Sequence, residues 1–481
     1  MIREELKTRY VSCLRTLEAR QQTHVLRWWD DLPPEQSNEL LAQLESIPWE
    51  LLDGVIPTHV LREPQQAVPS EWSPPQVHPV TPPPTRAREY DDARLRGIEI
   101  LRNGRVAAFT VAGGQGTRLG FDGPKGAVVV TPVGQRTLFG LFADTVWAAR
   151  RRYNAAIPWY IMTSPANHDA TLEFFSAHNF FDLPREDVSF FQQGMLPAFD
   201  FQGRLLLEER HRLALAPDGH GGSLKALSAS GALDDMRRRG VEIISYFQVD
   251  NPLVKPFDPL FLGLHAATAS EISTKVARKT DDLERVGNVC VRDGRVVVIE
   301  YSDLPESLAR AKNPDGSRRF DFGNLAIHLL NVGFIDRIAG RSSQLPFRRA
   351  VKSVPFVGES GLRVEPDRPN AVKLETFIFD ALPLAVRPLL LEVERSEEFS
   401  PVKNATGVDS LETARRDQVR RACRWLEEAG VFVPRRPDGE PAINIAISPR
   451  FALDVADVID RRNDLPTLRE ADIILIDLPS T

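Results

Sequence analysis

The sequence is poor in cysteine and has no long apolar run. Its 481 residues include three cysteines, Cys13, Cys290 and Cys423, which are scattered without disulfide-like or metal-binding spacing. We expect them to be core residues of a protein in a reducing compartment. No apolar stretch approaches the roughly 20 residues that cross a bilayer. The first residues, MIREELKTRY, carry charges at once, so we expect neither a membrane span nor a secretory leader.

An excess of basic charge is also missing. The formal net charge is −6, which argues against a nucleic-acid-binding or anionic-membrane surface. A pocket for an anionic small molecule is still compatible with this balance, because such a pocket can be positive locally. We therefore expect a soluble cytoplasmic protein without nucleic-acid or membrane partners. The sequence leaves the oligomeric state open.

Changes in composition divide the chain into three predicted parts. Apolar residues at helical spacing predict a helix over 38–47, and a proline-rich stretch over 63–85 predicts an extended connector without regular structure. These segments form an N-terminal helical domain, residues 1–90. A larger central domain is predicted over 91–400. A helix rich in arginine and glutamate, with short apolar pieces after it, predicts a small C-terminal lobe over 401–481.

The central part alternates between helix-like and strand-like segments. Asp91 or Asp92 is predicted to cap a helix that ends at Gly104. Alternation of this kind predicts an α/β fold with a mixed, mainly parallel sheet. The predicted strands lie over 105–112, 159–163, 187–191, 242–249, 271–277 and 295–300.

A glycine-rich segment, GGQGTRLGFDGPKG, follows the first of these strands. Gly113, Gly114 and Gly116 allow the backbone to approach a ligand closely and to present amide groups to an anion. Open α/β sheets bind ligands at the carboxyl ends of their parallel strands. The segment therefore predicts a phosphate-binding loop.

Two cations in this segment favour phosphate chemistry. Arg118 offers a planar guanidinium to phosphate oxygens, and Lys125 offers a mobile ammonium. An ordinary glycine-rich turn is the alternative, but the fixed spacing of Arg118, Gly120, Pro124 and Lys125 argues against it. The glycine spacing differs from both the GxxxxGK[ST] loop and the GxGxxG fingerprint. A nicotinamide dehydrogenase would need the latter together with an acidic residue about 20 positions on.

A candidate metal ligand ends another predicted strand. Asp250 follows the apolar run EIISYFQV, where its carboxylate can hold Mg²⁺ against phosphate oxygens. One protein carboxylate can suffice, because Mg²⁺ keeps several waters. The alternative for an isolated aspartate at a strand end is a cap on the next turn.

The glycine-rich segment resembles the signature of the eukaryotic-type UDP-sugar pyrophosphorylases, and most closely that of the UDP-N-acetylglucosamine pyrophosphorylases. Further segments agree in the expected order, so that the likeness covers residues 24–415. They are HVLRWWDDLPPEQSNELLAQLE (24–45), FFQQGMLPAFD (190–200), APDGHGGSLKAL (216–227), QVDNPLVK (248–255), FGNLAIHLLNVGF (322–334), KLETFIFD (373–380) and EEFSPVKNA (397–405).

The resemblance implies a Rossmann-like nucleotidyltransferase core that is flanked by a helical N-terminal domain and a small C-terminal lobe. It also implies a reaction of UTP with N-acetylglucosamine 1-phosphate, dependent on Mg²⁺, that yields UDP-N-acetylglucosamine and pyrophosphate. Within that reaction the implied roles are catalysis by Arg118, Lys125 and Lys403; UTP binding by Gly113, Gly114, Gln115, Gly116, Gln193 and Gly219; sugar binding by His220, Gly287, Glu300 and Asn324; and metal binding by Asp250.

One position departs from the N-acetylglucosamine branch. His220 stands where those enzymes usually carry asparagine, and histidine there is more typical of the UDP-glucose relatives. Glucose 1-phosphate or a broader sugar range therefore remains an alternative substrate. A protein that binds UDP-sugars without catalysis is a further alternative, although the candidate cations and Asp250 are all present.

Overall fold

The computed structural model describes residues 2–63, 71–339 and 345–478. The contacts divide the chain into two compact units. The smaller unit comprises residues 1–68, 193–225 and 338–380, and the larger unit comprises residues 69–192, 226–337 and 381–481. The linear division of the chain into three domains stays a prediction. Among the described residues, no helix combines the length and the apolar content needed to cross a bilayer.

The α-helices of the described residues, in chain order, are α1 (Ile2–Glu18), α2 (Pro34–Ser46), α3 (Trp49–Val55), α4 (Ala87–Arg102), α5 (Leu138–Tyr153), α6 (His168–Ala177), α7 (Gly222–Ala229), α8 (Ala232–Arg238), α9 (Pro259–Ala267), α10 (Glu306–Ala309), α11 (Val332–Ala339), α12 (Arg395–Glu398), α13 (Leu411–Glu428) and α14 (Val455–Asp460).

The strands are β1 (Trp72–Ser73), β2 (Val106–Val111), β3 (Trp159–Thr163), β4 (Val188–Gln192), β5 (Met195–Pro197), β6 (Leu207–Glu209), β7 (Arg212–Leu213), β8 (Leu215–Pro217), β9 (Ile243–Gln248), β10 (Ile272–Arg278), β11 (Asn288–Arg292), β12 (Arg295–Ile299), β13 (Phe322–Asn331), β14 (Arg348–Lys352), β15 (Phe356–Val357), β16 (Arg363–Val364), β17 (Ala371–Glu375), β18 (Leu389–Glu392), β19 (Asn444–Ile447) and β20 (Ile473–Ile476).

A mixed sheet forms the centre of the larger unit, as predicted. Its strands follow the order β1-β11-β13-β9-β2-β3-β4, while β10 pairs with β13 and β18, and β12 pairs with β11. The half that contains β9, β2, β3 and β4 is parallel throughout. The antiparallel strand β13 joins this half to the rest. Each predicted strand of this sheet exists, with ends within one residue of the prediction.

Strand β2 lies in the middle of the parallel half because its side chains are apolar on both faces. Residues 106–110 are all buried, which is typical of a strand covered by helices on both sides. Phe109 pairs in register with Tyr160 of β3 and Tyr246 of β9. The loop that follows β2 therefore begins at the carboxyl edge of three parallel strands.

The helix before β2 begins earlier than predicted. Neither Asp91 nor Asp92 caps it, because α4 already begins at Ala87, after a 3₁₀ turn over Pro84–Arg86. The prolines that end the connector start this turn, so both aspartates fall inside the helix and are exposed. The predicted end is confirmed, since Gly104 has a φ of +65°, a left-handed conformation that suits glycine.

The connector is not wholly irregular. Its proline-free residues Trp72 and Ser73 form β1, which pairs antiparallel with β11 at the edge of the sheet. His78 forms a bridge with Leu391 of β18. Residues 64–70 of this stretch lie outside the described residues. The rest of the connector thus supplies edge contacts to the larger unit.

The C-terminal residues pack against the same unit. Helix α13 carries the predicted Arg- and Glu-rich sequence and begins at a capping box of Ser410 and Thr413. Its Arg415 and Gln418 donate to the main-chain oxygens of Val129 and Val130, at 2.8 Å and 3.0 Å. Strands β19 and β20 pair in parallel and enclose a separate apolar cluster with this helix.

The smaller unit joins the N-terminal helices to short strand pairs. The predicted helix over 38–47 is α2, with Leu40, Leu41 and Leu44 buried. These residues pack in one cluster with Phe199 and Val372. Strands β5 and β8 pair antiparallel, as do β14 and β17. This unit also carries the glycine-containing turn over 218–222.

Candidate active site

The glycine loop after β2 is held by main-chain and amide hydrogen bonds. Asn167, which is buried, donates through Nδ2 to the oxygens of Ala112 and Gly114, at 2.9 Å and 3.1 Å. The Gln115 amide donates to the oxygen of Ala166 at 2.9 Å. Gly116 allows a close approach, since a Cβ there would lie 2.8 Å from the ring of Phe121. The loop is thus held in its shape by contacts within the protein.

Lys125 lies beside this loop. Its amide donates to the oxygen of Gly114 at 3.1 Å, and Gln115 forms a bridge with Pro124. The Lys125 ammonium donates to the oxygen of Val402 at 3.4 Å. The side chain is partly buried, so its position is fixed while its charge stays accessible. Lys125 therefore connects the glycine loop to a segment almost three hundred residues further along the chain.

Arg118 has a different environment. It lies in a 3₁₀ turn over Thr117–Leu119 and is exposed. Gly120, with a φ of +72°, ends this turn. Within the described residues the guanidinium makes no hydrogen bond or ion pair, which leaves its donors available to an anion. The structure thus places Arg118 on the glycine segment but does not join it to the other candidates.

Asp250 and Lys403 belong to adjoining turns. Asp250 follows β9, and its main-chain oxygen accepts from the amide of Val402 at 2.8 Å. Lys403 comes next, and its ammonium lies 5.8 Å from the ring centroid of Phe399. Within the described residues the Asp250 carboxylate makes no hydrogen bond or ion pair. Two candidate residues separated by about 150 positions thus meet at the carboxyl end of β9.

Asp409 shares this charged neighbourhood. Its main-chain oxygen accepts from the amide of Lys403 at 2.7 Å. Burial raises the pKa of its carboxyl, while Lys403 opposes the shift and Asp250 adds to it. Asp409 therefore adds a third charged group close to the turn that carries Lys403.

Gly287, Glu300 and Asn324 are brought together in the larger unit. The amide of Asn324 donates to the oxygen of Gly287 at 2.8 Å. A Cβ on Gly287 would lie 3.6 Å from Glu300 Oε1 and 3.9 Å from the Asn324 Cβ. Glu300 lies directly after β12, as its position in the sequence predicts. The three residues form a polar cluster at the ends of β11, β12 and β13.

The smaller unit carries the remaining candidates. Gln193 is 9% exposed and follows β4. Gly219 has a φ of +83°, and a Cβ there would overlap the main chain of Thr376. The Thr376 amide and hydroxyl donate to the oxygen of Asp218, at 2.8 Å and 3.0 Å. Glycine is therefore required at 219 by both conformation and space.

His220 is held among aromatic rings. Its ring lies parallel to that of Phe377, and Phe379 is 5.7 Å away. The main-chain amide of Ile378 donates to His220 Nδ1 at 3.2 Å, so Nε2 carries the proton of the neutral ring. Burial, with a smaller effect of Arg348, lowers the pKa of His220 to about 4. At neutral pH the residue is therefore an uncharged donor.

Several residues of these clusters were not predicted as site residues. The side-chain amides of Asn167 and Asn251 donate hydrogen bonds to main-chain oxygens. A single asparagine has no sequence pattern that would predict such a bond. Phe377 and Phe379 flank His220 through the KLETFIFD segment. Phe379 lies in the 3₁₀ turn that begins at Ile378, so the alternation of aromatic residues in this segment is not a strand-like signal for these contacts.

A glycine loop lies at the carboxyl edge of parallel strands, with a lysine beside it and an aspartate at the end of the neighbouring strand. An enzyme can hold the phosphates of a nucleotide with this arrangement. The class that this fold and these clusters define is the nucleotidyltransferases. Residues 76–475 match the family described as UTP–glucose-1-phosphate uridylyltransferase, and the chain belongs to this family.

Individual relatives agree with this assignment. The chain is 37% identical to the UDP-N-acetylhexosamine pyrophosphorylase-like protein 1 of Xenopus tropicalis, over 86% of this chain and 84% of that protein. It is 34% identical to the UDP-N-acetylglucosamine pyrophosphorylase of Saccharomyces cerevisiae, over 86% of this chain and 90% of that protein.

A solved structure shares the fold. The crystal structure of the uridine diphosphate N-acetylglucosamine pyrophosphorylase from Trypanosoma brucei matches with a TM-score of 0.82 and 23% sequence identity, over 98% of each chain. At this identity the likeness concerns the architecture. It confirms the expected Rossmann-like α/β core.

Proposed function

We propose that the protein transfers the uridylyl group of UTP to N-acetylglucosamine 1-phosphate and releases pyrophosphate. The observation that carries this proposal is the convergence of four candidates in the larger unit. Lys125 contacts Gly114 of the glycine loop and the oxygen of Val402, whose amide binds Asp250 and whose neighbour is Lys403. Displacement at a phosphorus atom needs this combination of an amide-lined loop, cations and a carboxylate.

The cations have distinct roles in this mechanism. Gly113, Gly114, Gln115 and Gly116 bind the nucleotide phosphates through main-chain amides. Lys125 and Arg118 offset the negative charge that grows on the α-phosphate and on the departing pyrophosphate. Lys403 holds the phosphate of the incoming sugar in line for attack. The sugar phosphate supplies the nucleophilic oxygen, so no protein nucleophile is required.

The donor chemistry at Asp250 suits Mg²⁺. A single carboxylate that makes no hydrogen bond or ion pair within the described residues is an available oxygen ligand. No group of three or more acidic, histidine or cysteine residues that could hold a metal occurs in the described part of the chain. Water and substrate phosphate would complete the coordination. Bound Mg²⁺ supplies charge neutralisation at the phosphate oxygens.

The remaining candidates fit the uracil and the sugar. Gln193 offers an amide with both a donor and an acceptor to the base, and Gly219 allows close approach of the main chain. The polar groups of Glu300 and Asn324 suit sugar hydroxyls, and Gly287 lets the main chain pack closely beside them. His220 donates through Nε2 to a sugar oxygen. The relatives named after N-acetylated sugars favour N-acetylglucosamine as the substrate.

The test is pyrophosphate release from UTP and Mg²⁺ with four sugar 1-phosphates in parallel: N-acetylglucosamine, N-acetylgalactosamine, glucose and galactose. Preference for the N-acetylated sugars supports the proposal. Preference for glucose 1-phosphate would favour the alternative substrate that His220 suggests. Binding of UDP-sugars without pyrophosphate release from any substrate would favour a sensor. The expected location of such an enzyme, where UTP is made and used, is the cytoplasm.

A further inference from the structure

Asn251 connects the two turns on which Asp250 and Lys403 lie. Its side chain is 4% exposed and directly follows Asp250. Its Nδ2 donates to the oxygen of Glu398 at 2.7 Å, and its Oδ1 accepts from the amide of Ser400 at 3.1 Å. The same Oδ1 accepts from the amide of Leu253 at 3.3 Å. One amide side chain thus spans both turns.

The segment that Asn251 holds is anchored on its other side by buried charges. Glu398 accepts from Lys275 Nζ at 2.7 Å and 2.8 Å, and Lys275 is fully buried. The Ser400 hydroxyl donates to Asp417 of α13 at 2.8 Å. These contacts hold residues 398 and 400 in place. Because Asn251 bonds both residues, it holds the turn of Asp250 at a defined distance from them.

We propose that Asn251 is a positioning residue that sets the distance between the Asp250 carboxylate and the Lys403 ammonium. Lys403 lies three residues after Ser400, and the Val402 amide bonds the oxygen of Asp250 at 2.8 Å. Arg421 also joins the two segments, because its Nη1 donates to the oxygens of Leu253 and Glu397 at 3.0 Å and 3.1 Å, but these contacts lie further along the chain from Asp250 and Lys403. The Asn251 amide therefore supports the Val402 bond at the residue next to Asp250. A shift of about 1 Å at a reacting centre costs roughly 100-fold in rate. The inference rests on the proposed uridylyl transfer for its catalytic meaning.

A matched control separates positioning from simple stability. Asn331 makes comparable bonds at the end of β13, where Nδ2 donates to the oxygen of Ser270 at 2.8 Å and Oδ1 lies 2.9 Å from His265 Nε2. We therefore expect Asn331→Ala and Asn251→Ala to lower the thermal midpoint by similar amounts. Only Asn331→Ala should leave kcat within about twofold of the original value. Asn251→Asp keeps the volume and the acceptor but loses the donor to Glu398, so it serves if the alanine variant does not fold.

The decisive kinetic test is a double-mutant cycle with Lys403→Ala. Asn251→Ala alone should lower kcat/KM for the sugar 1-phosphate roughly 10- to 100-fold, with the KM for UTP within about twofold. In the Lys403→Ala background the same substitution should have little further effect, because the group that it positions is gone. Equal losses in both backgrounds would overturn the proposal, as would an Asn331→Ala variant that reproduces the kinetic loss.

Hydrogen exchange tests the position without any turnover. The amides of Val402 and Lys403 should exchange faster in Asn251→Ala and at the original rate in Asn331→Ala. Unchanged protection of both amides in Asn251→Ala would overturn the positioning role. If the unmodified protein releases no pyrophosphate with any sugar 1-phosphate, the proposed function fails, and the exchange rates alone then decide the role of Asn251.

Discussion

The ring of His220 lies parallel to the ring of Phe377, with centroids 5.0 Å apart and planes within 5° of each other. The guanidinium of Arg348 lies 5.1 Å from the ring centroid of Phe377 and 5.6 Å from that of Phe379. It also forms an ion pair with Asp380 at 2.8 Å. His220 is thus built into an aromatic stack. Its orientation is set by packing as well as by hydrogen bonding.

Replacement of this histidine should change the choice of sugar. In His220→Asn a smaller amide leaves space beside Phe377 and offers a donor from a different position. We expect the ratio of kcat/KM for N-acetylglucosamine 1-phosphate over glucose 1-phosphate to rise on the order of 10-fold, the scale at which small pocket changes discriminate. Pyrophosphate release with both sugars measures it. An unchanged ratio would mean that the ring at 220 does not contact the sugar.

Lys125→Ala should lower turnover far more than UTP affinity. The ammonium is most needed where charge develops, at the α-phosphate in the transition state. We expect kcat to fall about 100- to 1000-fold, with the KM for UTP within a few-fold. The exposed Lys352 provides the control, since Lys352→Ala should leave both constants unchanged. A collapse of affinity with normal turnover would contradict the role assigned to Lys125.

Asp250→Asn should remove the stimulation by Mg²⁺. The amide keeps the volume of the side chain, and the main-chain bond from Val402 to residue 250 does not depend on the carboxylate. Thermal stability should therefore stay close to that of the original protein, while a neutral amide binds Mg²⁺ far more weakly. A titration of activity against Mg²⁺ measures this effect. Normal activity at low Mg²⁺ would remove Asp250 from the metal site.

The parts of the fold that the sequence predicted are those with strong local patterns. Strand β2 is apolar on both faces, and α2 has apolar residues at helical spacing. The start of α4 was wrong because two aspartates resemble caps, whereas the prolines before Arg86 determine where the helix begins. The edge strand β1 was missed because it has two residues, Trp72 and Ser73, and its partner strand β11 is distant in the sequence.

The candidate site residues also divide into those with a local sequence pattern and those without one. The glycine loop with Lys125 has a contiguous signature, so its existence follows from the sequence. The bond from Asn251 to Glu398 joins residues 147 positions apart. Nothing in either local sequence specifies such a bond, because it depends on how α12 and β9 pack in three dimensions.

Lys275→Met should destabilise the larger unit strongly. Lys275 is fully buried and lies 2.8 Å from Asp258 and 2.7 Å from Glu398. Without the ammonium, the buried carboxylate of Glu398 and the half-buried carboxylate of Asp258 lose their shared partner, and breaking a buried ion pair costs about 3–5 kcal/mol. Urea unfolding measures the difference. In contrast, Lys312→Met removes an exposed pair with Asp282 and should have little effect. Equal effects of both substitutions would contradict the importance of burial.

His265 should make the protein less stable in acid. Its side chain is 1% exposed. Asn331 Nδ2 donates to Ser270, so Asn331 Oδ1 accepts from His265 Nε2, and Nδ1 of the neutral ring accepts from the Ser273 hydroxyl at 2.7 Å. Burial lowers the pKa of His265 from 6.5 to about 4. The unfolded chain therefore binds more protons between these values, and the stabilising contribution present above pH 6.5 is lost as the pH falls towards 4.

The expected loss from this one histidine is about 2 kcal/mol between pH 7 and pH 4.5, because each pKa unit corresponds to about 1.4 kcal/mol. Urea unfolding of the original protein and of His265→Gln at both pH values isolates the contribution, since glutamine does not titrate. The free-energy difference between the two pH values should shrink by that amount in the variant. His178→Gln, at an exposed position, should leave it unchanged. If His265→Gln keeps the full pH dependence, then His265 is not a source of the acid sensitivity, and its ring is as accessible to protons in the folded protein as in the unfolded chain.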